Sequence, residues 1–181
     1  MLLLCSLLFG CGKKGGAPAS KERYQLAMAR LSGADSPERR FYALGNAAKE
    51  SFNAGKVADA QKYAEELMAL LPNFRDNREY GSAMHDANMV LGRVAVRNGQ
   101  IEDAKRYLLA AGQSPLTPAM ASGGPNVSLA NDLLAKGERQ VVQDYLEECR
   151  KIWVSDEGRL DKWIEEIKSG KTPDFGPNLS N

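Results

Sequence analysis

Three stretches of the chain repeat one pattern: 54–72 (AGKVADAQKYAEELMALLP), 98–115 (NGQIEDAKRYLLAAGQSP) and 136–153 (KGERQVVQDYLEECRKIW). The second residue of each stretch is a glycine. Apolar residues follow this glycine five and twelve positions later, and a tyrosine follows it eight positions later. The aligned sets are Gly55, Gly99 and Gly137; Ala60, Ala104 and Val142; Tyr63, Tyr107 and Tyr145; and Leu67, Ala111 and Cys149. These offsets lie on one face of an α-helix, because a helix turns once in about 3.6 residues. The pattern predicts a repeated helix–turn–helix unit in which small residues let two helices approach closely.

The segments around these stretches also have helical periodicity. Alanine and leucine outnumber valine and isoleucine, and no stretch alternates apolar and polar residues as a strand does. The first helix is predicted at 20–32. The next helix is expected to start at Ser36 and Pro37, an N-cap followed by proline, and to run to about Ala54. A final amphipathic helix is expected around Leu160, Trp163, Ile164 and Ile167.

The central unit is similar to a tetratricopeptide repeat. It shares with that family Leu91, Gly92, Ala95, Gly99, Ala104, Tyr107, Ala111 and Pro115, and the third unit shares Leu129, Ala130, Leu133, Gly137, Val142, Tyr145 and Cys149. The resemblance covers about 37–154 and implies an all-α fold, a right-handed stack of about three helical hairpins in a domain at 21–169, with a capping helix at each end. The turns are farther apart than the 34 residues typical of the family, so an irregular stack is expected. Residues 170–181 are expected to form an extended, loosely packed tail.

The N-terminus resembles the leader of a bacterial lipoprotein. Residues 2–9 (LLLCSLLF) are apolar but too few to cross a bilayer as a helix, and Leu8-Phe9-Gly10-Cys11 resembles the lipobox of that family. The resemblance implies a signal peptide at 1–10, acyl chains on Cys11, a flexible tether at 11–20, and a location on the outer membrane facing the periplasm. The alternative is a cytosolic protein with an apolar N-terminus.

The composition is that of an ordinary globular protein, with 43% hydrophobic and 26% charged residues among 181. Lysine and arginine number 24 and acidic residues 23, so the net charge is +1, and a nucleic-acid binder with its excess of basic residues is not expected. One histidine and three cysteines leave little room for a metal centre or a disulfide framework. No cofactor is expected, and Cys149 is interpreted as a buried structural thiol.

The resemblance also implies a partner-binding groove, because the first helix of each pair lines the concave surface in the tetratricopeptide family. The corresponding residues here are Tyr42, Lys49, Phe52, Asn53, Asp86, Met89, Arg93, Arg97, Asn131 and Leu134. Their aromatic, apolar and mostly basic character would suit a protein or peptide segment with some acidic residues. A solvent-exposed helix face has a similar composition, and this simpler interpretation stays open.

The leading hypothesis for function is a non-enzymatic scaffold, anchored by lipid in the bacterial envelope, that binds a protein and helps another envelope complex to assemble. A different hypothesis is an envelope enzyme or small-ligand receptor that uses His85, Asp86 and the nearby loop at Asn126, because a carboxylate can orient an imidazole for proton transfer. In a simpler interpretation, these residues form a polar cluster that caps a helix. A third hypothesis is a structural spacer that docks through its C-terminal helix and tail.

Overall fold

The computed structural model describes residues 20–179, and these residues contain helices and no strand. The prediction of an all-α fold is confirmed. The α-helices of this range are α1 (Ser20–Ser32), α2 (Pro37–Asn53), α3 (Val57–Leu70), α4 (Tyr80–Arg97), α5 (Ile101–Gly112), α6 (Pro118–Gly123), α7 (Ser128–Leu134), α8 (Arg139–Cys149) and α9 (Arg159–Lys168), with short 3-10 helices at Leu71–Phe74 and Gly176–Leu179. None of these helices combines the length and the apolar composition needed to cross a bilayer. The predicted signal peptide at 1–10, the lipidation site Cys11 and the tether up to residue 19 lie outside the described residues.

The ends of the helices follow local signals in the sequence. The Ser36 side chain accepts a hydrogen bond from a backbone N–H in the first turn of α2 at 3.2 Å, and Pro37 opens that turn, as predicted. Gly99, in the turn between α4 and α5, has a φ of +75°, a left-handed conformation that costs other residues about 1 kcal/mol. Gly55 and Gly137 have the same conformation at the equivalent turns. The three glycines therefore mark the turns that the repeat pattern predicts.

Consecutive helices pack against each other as hairpins. α2 contacts α3, α4 contacts α5, and α7 contacts α8, each across a short turn. The first helices of these hairpins also touch, since α4 contacts α2 and α7. α1 packs on α2, and α9 packs on α8. The helices α2, α4 and α7 therefore lie side by side.

Small residues lie where the helices approach most closely. Ala60, Ala104 and Val142, which occupy the same position in the three repeated stretches, are fully buried. Gly92 of α4 faces Leu129 of α7, and a Cβ atom on this glycine would overlap the leucine side chain. A side chain larger than these would force the helices apart or off their preferred rotamers, which typically costs about 1–3 kcal/mol. The close contacts between hairpins therefore depend on residue size at a few positions.

The connection between α5 and α7 contains a helix, α6, that the sequence pattern does not predict. The Thr117 side chain accepts a hydrogen bond from the Met120 N–H at 3.3 Å, and Pro118 opens the helix. Met120 is buried in the same core as the α7 and α8 residues. The helix ends before Gly124, which has a φ of +80°. The surplus residues of this connection are therefore an ordered part of the fold.

The C-terminal tail packs against the body at Pro173, Phe175 and Asn178, which are buried, while the other residues of 171–179 are exposed, so the expectation of an extended or loosely packed segment at 170–181 does not hold at these three positions. Phe175 is buried, and its ring centroid lies 5.0 Å from that of Trp163. The Trp163 indole N–H donates a hydrogen bond to the Asp174 carbonyl oxygen at 3.2 Å. Burial of the Phe175 ring, together with this hydrogen bond, offsets the entropy lost when a short segment is ordered.

Candidate functional site

Four adjoining clefts run along α4, with α2 on one side and α7 and its preceding loop on the other. The first cleft, of about 230 Å³, lies near Tyr42, and the second, of about 380 Å³, lies against the loop 123–126. A third cleft of about 300 Å³ lies near Phe52. Asp86 lines the first two clefts and a narrow passage, and Arg93 lines this passage and the third cleft. We call these clefts together the inner groove. Its lining includes Tyr42, Lys49, Phe52, Glu79, Ser82, His85, Asp86, Met89, Arg93, Arg97, Asn126, Asp132 and Lys136.

The three helices α2, α4 and α7 run in the same direction along the inner groove. Tyr42 and Ser82, both in the N-terminal halves of their helices, line the first cleft. Phe52 and Arg97, near the C-terminal ends of α2 and α4, line the third cleft together with Lys136, which follows α7. The N-terminal halves of the helices therefore form one end of the inner groove, and their C-terminal ends form the other.

The end of the inner groove near the helix N-termini is acidic. Glu79 and Asp86 line it, and no lysine or arginine of residues 20–179 lines the first two clefts. The Asp86 side chain is 36% exposed, and the His85 Nδ1 lies 3.8 Å from its Oδ1, a contact that is an ion pair only when the imidazole is protonated. Gly45 of α2 leaves room for this carboxylate, since a Cβ atom there would lie 3.1 Å from Oδ2. We call Glu79, Ser82 and Asp86 the acidic end.

The opposite end of the inner groove is basic. Arg93 donates a hydrogen bond from Nε to Asp132 Oδ2 at 2.8 Å, and its guanidinium carbon lies 4.3 Å from the centre of the Phe52 ring. The guanidinium carbon of Arg97 lies 5.5 Å from the same ring centre. These distances place both guanidinium groups within the range of a cation–π interaction. Lys136 is exposed beside them, so three cations face one carboxylate. We call Phe52, Arg93, Arg97 and Lys136 the basic end.

His85 lies behind the second cleft and is tied to the core. Its Nε2 lies 3.1 Å from the Tyr145 hydroxyl, and this hydroxyl donates a hydrogen bond to the Asn126 carbonyl oxygen at 2.8 Å. Because the hydroxyl has a single proton, His85 Nε2–H is the donor to the tyrosine oxygen. Burial raises the pKa of Tyr145 well above its ordinary value, so the hydroxyl keeps the proton that it donates. The predicted grouping of His85, Asp86 and Asn126 is present, since all three line the second cleft.

The loop 123–126 forms one wall of the second cleft and is held by the C-terminal tail. The Asn178 side-chain amide donates hydrogen bonds to the Gly123 and Pro125 carbonyl oxygens, each at 3.1 Å. The Asn178 carbonyl oxygen accepts a hydrogen bond from the Val127 N–H at 2.9 Å. Gly124 packs against the Trp153 ring, since a Cβ atom there would lie 2.5 Å from Cε2. The tail therefore shapes the inner groove without lining it.

Most of the groove residues predicted from the sequence do line the inner groove. Seven of them line at least one of its clefts: Tyr42, Lys49, Phe52, Asp86, Met89, Arg93 and Arg97. Asn53 is next to the third cleft, where its side-chain oxygen accepts a hydrogen bond from Arg93 at 3.4 Å. Asn131 and Leu134 line none of these four clefts, and Leu134 is buried in the core. Their neighbours Asp132 and Lys136 line the third cleft instead.

Sequence reasoning missed the acidic side of the inner groove and the lining residues near α7. Glu79 and Ser82 stand at the start of α4, where no repeat position pointed to a lining residue. On α7, the residues that line the groove are Asp132 and, just after the helix, Lys136, rather than the implied Asn131 and Leu134. One signal for Asp132 was present, since Arg93 on the neighbouring helix needs a carboxylate partner when it is partly buried. The lining is thus divided by charge and not mostly basic throughout.

The structure gives Cys149 the surroundings of a structural thiol. It is free and buried, and burial raises its pKa to about 12, so the reactive thiolate is scarce at neutral pH. Within residues 20–179, no three histidine, cysteine or acidic side chains come together in a way that could hold a metal ion.

The inner groove can therefore bind a ligand through an aromatic ring, hydroxyl groups and charges of both signs. Charge-assisted hydrogen bonds of this kind are roughly twice as strong as neutral ones, and they also select for partner chemistry. Comparison of the chain with models of known protein families, with curated proteins and with solved structures found no match.

Proposed function

We propose that this chain is a non-enzymatic protein-binding module built from helix pairs like those of tetratricopeptide repeats. In this proposal α2–α3, α4–α5 and α7–α8 are the three pairs, α1 and α9 cap the ends, and α6 is an insertion. Two observations support it: the repeated sequence offsets, and the side-by-side packing of the first helix of each pair. A segment of another protein would lie in the inner groove.

The observation that carries the proposal is the inner groove itself. Its clefts of about 230, 380 and 300 Å³ adjoin along three helices, and they are joined by a passage of only about 10 Å³. Such a series of shallow clefts fits successive side chains of a peptide better than one compact small molecule, which is usually enclosed in a single cavity. The Tyr42 side chain is 49% exposed and supplies an aromatic ring at one end, where a partner side chain can pack.

Photo-crosslinking tests the proposed binding site. A benzophenone amino acid placed at Tyr42 or at Arg97 would lie in the inner groove, whereas the same residue at Gln61 would lie on the exposed surface of α3. We expect the two groove positions to crosslink to one and the same protein in intact cells, identified by mass spectrometry, and the Gln61 position to give no such product. Equal products from all three positions, or none from the groove, would contradict the proposal.

We further propose that the module is attached by lipid at Cys11 to the outer membrane, faces the periplasm and assists the assembly of another envelope complex. The lipobox-like Leu8-Phe9-Gly10-Cys11 supports this location. Several acyl chains hold a folded body at a bilayer, since each buried CH₂ contributes about 0.8 kcal/mol. Cells fed labelled palmitate should label the chain, and a Cys11→Ala variant should lose the label. Label that persists in this variant would contradict attachment at Cys11.

A second candidate function is a small-ligand receptor or enzyme that uses the second cleft. The observation in its favour is that His85, Asp86 and Asn126 line one cleft of about 380 Å³. Under this hypothesis, a His85→Ala variant loses activity at an unchanged melting temperature. Because His85 hydrogen-bonds the buried Tyr145, we instead expect the melting temperature to fall, which thermal denaturation followed by circular dichroism would show.

A further inference from the structure

We infer that the inner groove selects an extended peptide segment with a basic side chain at the acidic end and an acidic side chain at the basic end, four or six residues apart. This inference rests on the proposed function and adds to it the chemistry of the partner. It follows from the separation of charge along α4, which the composition of the whole chain does not show because its net charge is only +1.

The acidic end is built to receive a cation. The Asp86 carboxylate is 36% exposed and lines three of the four clefts. Glu79 pairs with Arg78 at 3.0 Å, but the Arg78 side chain is 83% exposed and lies outside the clefts. A lysine or arginine side chain entering the first or second cleft would therefore meet two carboxylates and the Ser82 hydroxyl.

The basic end is built to receive an anion. Asp132 pairs with Arg93, which leaves Arg97 and Lys136 without a carboxylate within ion-pair distance in the part of the chain from 20 to 179. Arg97 lies above the Phe52 ring, so its guanidinium group is held over the cleft. A glutamate or aspartate side chain in the third cleft would complete the pairing of these two cations.

The distance between the two ends sets the spacing of the charges in the partner. Asp86 and Arg97 lie on one helix, and with a rise of about 1.5 Å per residue their Cα atoms are about 16 Å apart along its axis. An extended chain advances about 3.3 Å per residue and its successive side chains point to opposite faces, so two side chains four or six residues apart face the groove together and span about this distance. The narrow passage beside Met89 lies between the two ends, and small residues are therefore favoured at the centre of the segment.

Charge complementarity favours a protein segment over a nucleic acid or an anionic membrane surface. Either of these presents phosphate groups in series, and Asp86 and Glu79 would repel phosphates over half of the inner groove. A peptide can instead alternate charges of opposite sign within a few residues. A segment with the charges in the wrong order would place like charges together at both ends. The inner groove therefore distinguishes partners by the order of their charges.

The test is a double-mutant cycle between the full chain and synthetic peptides. The probes are fluorescent, end-capped nonapeptides with Lys and Glu four or six residues apart in a Gly/Ala/Tyr background, prepared in both chain orders because an extended segment can run either way. In two further sets, Gln replaces the Lys or the Glu. The proteins are the unchanged chain, Asp86→Asn and Arg97→Gln, with Lys62→Gln, an exposed cation on α3, as the control.

We expect the Lys/Glu peptide to bind the unchanged chain at least about tenfold more tightly than either Gln peptide. Asp86→Asn should weaken binding only of peptides that keep the Lys, and Arg97→Gln only of peptides that keep the Glu, each by about three- to tenfold. Lys62→Gln should change nothing. Asp86 and Arg97 are both partly exposed, so the variants should keep the circular dichroism spectrum and melting temperature of the unchanged chain.

Two outcomes would overturn the inferred charge selection: equal binding of all peptides, or a loss of affinity in Asp86→Asn for peptides that keep only the Glu. Crosslinking at Tyr42 and Arg97 together with such a result would leave the protein-binding proposal standing and remove only this inference. If crosslinking also fails, both are wrong.

Discussion

Tyr145 differs from the equivalent tyrosines of the repeated pattern in its burial and in the hydrogen bonds of its hydroxyl. It occupies the same position as Tyr63 and Tyr107, which are only partly buried, whereas Tyr145 is fully buried. Its hydroxyl connects His85 on α4 with the backbone of the loop at Asn126. A buried hydroxyl in such a network is retained because each partner would otherwise lose its hydrogen bond without contact with water.

We predict that Tyr145→Phe lowers the free energy of unfolding by about 1–3 kcal/mol, because it removes the buried hydroxyl that hydrogen-bonds both His85 and the Asn126 carbonyl oxygen. Tyr107→Phe is the matched control, since its hydroxyl makes no hydrogen bond to the described residues, and we expect a change below about 0.5 kcal/mol. Urea denaturation followed by circular dichroism measures both. A loss for Tyr145→Phe no greater than that for Tyr107→Phe would show that the network does not contribute to stability.

The Cys149 thiol should resist alkylation in the folded protein. Burial raises its pKa to about 12, and the side chain is shielded from reagents. We expect iodoacetamide at about pH 8 to leave Cys149 unmodified in the native chain and to modify it fully in urea, as measured by mass spectrometry of the peptide that contains it. Rapid modification without denaturant would argue for an accessible, functional thiol.

At the scale of secondary-structure elements, the loop between α6 and α7 depends on parts of the chain that are distant in sequence. The Asn178 side chain holds the loop from the tail, and Trp153 covers it from the end of α8. Gly124 is needed there for two reasons, its positive φ of +80° and the absence of a Cβ atom facing the indole ring. The short helices α6 and α7 therefore gain their stability from tertiary contacts, since helices of this length are marginal alone.

A comparison of Gly124→Ala with Gly99→Ala separates the cost of the positive φ from the cost of a Cβ atom that faces the Trp153 ring. Both glycines have a positive φ, but nothing lies within 4 Å of a Cβ atom on Gly99, whereas one on Gly124 would lie 2.5 Å from the Trp153 ring. We expect Gly99→Ala to cost about 1 kcal/mol of unfolding free energy and Gly124→Ala to cost about 1–3 kcal/mol more. Chemical denaturation of both variants provides the measurement. Equal losses would mean that the loop moves away from Trp153 at little cost.

At the scale of the whole molecule, the tail completes the core at the C-terminal end. Trp153, Trp163 and Phe175 belong to one apolar cluster that also contains residues of α4, α5, α7, α8 and α9. The two tryptophan ring centroids lie 5.6 Å apart. This cluster joins the last hairpin, the final helix and the tail, and it supports the wall of the inner groove from behind.

A chain that ends at Thr172 should be measurably less stable, because it lacks Phe175 and the carbonyl partner of the Trp163 indole. We expect a loss of about 2–5 kcal/mol of unfolding free energy and a red shift of tryptophan emission, since Trp163, one of two tryptophans, contacts Phe175 and Asp174 of the removed segment.

This truncation also bears on the hypothesis of a spacer that docks through its tail. If the chain ending at Thr172 keeps its stability and its emission but loses co-purification with a partner, the tail is a docking element and not a part of the core. The packing of Phe175 and Asn178 leads us to expect the opposite.

Much of the helical layout could be predicted from the sequence, because the signals that determine it are local. The bounds of α1, the capped start of α2 and the glycine turns at 55, 99 and 137 depend on residues a few positions apart. Seven of the ten groove residues that the tetratricopeptide resemblance implies line at least one of the four clefts. On α7 the packing positions Leu129, Ala130 and Leu133 are buried as the pattern predicts, whereas Asn131 and Leu134 do not line the four clefts, because which remaining face of α7 meets the groove depends on how its hairpin packs.

By itself, then, the sequence determined that the chain is helical, where its hairpins turn and which small residues lie between them, since periodicity and turn chemistry act within one or two helical turns. Only the tertiary structure decided that the inner groove has an acidic and a basic end, that His85 is held by Tyr145, and that the tail supports the loop 123–126. These features join residues that are 39 to 60 positions apart, as in the Arg93–Asp132 and His85–Tyr145 pairs. Such pairings depend on how whole hairpins pack, and no local pattern specifies that packing.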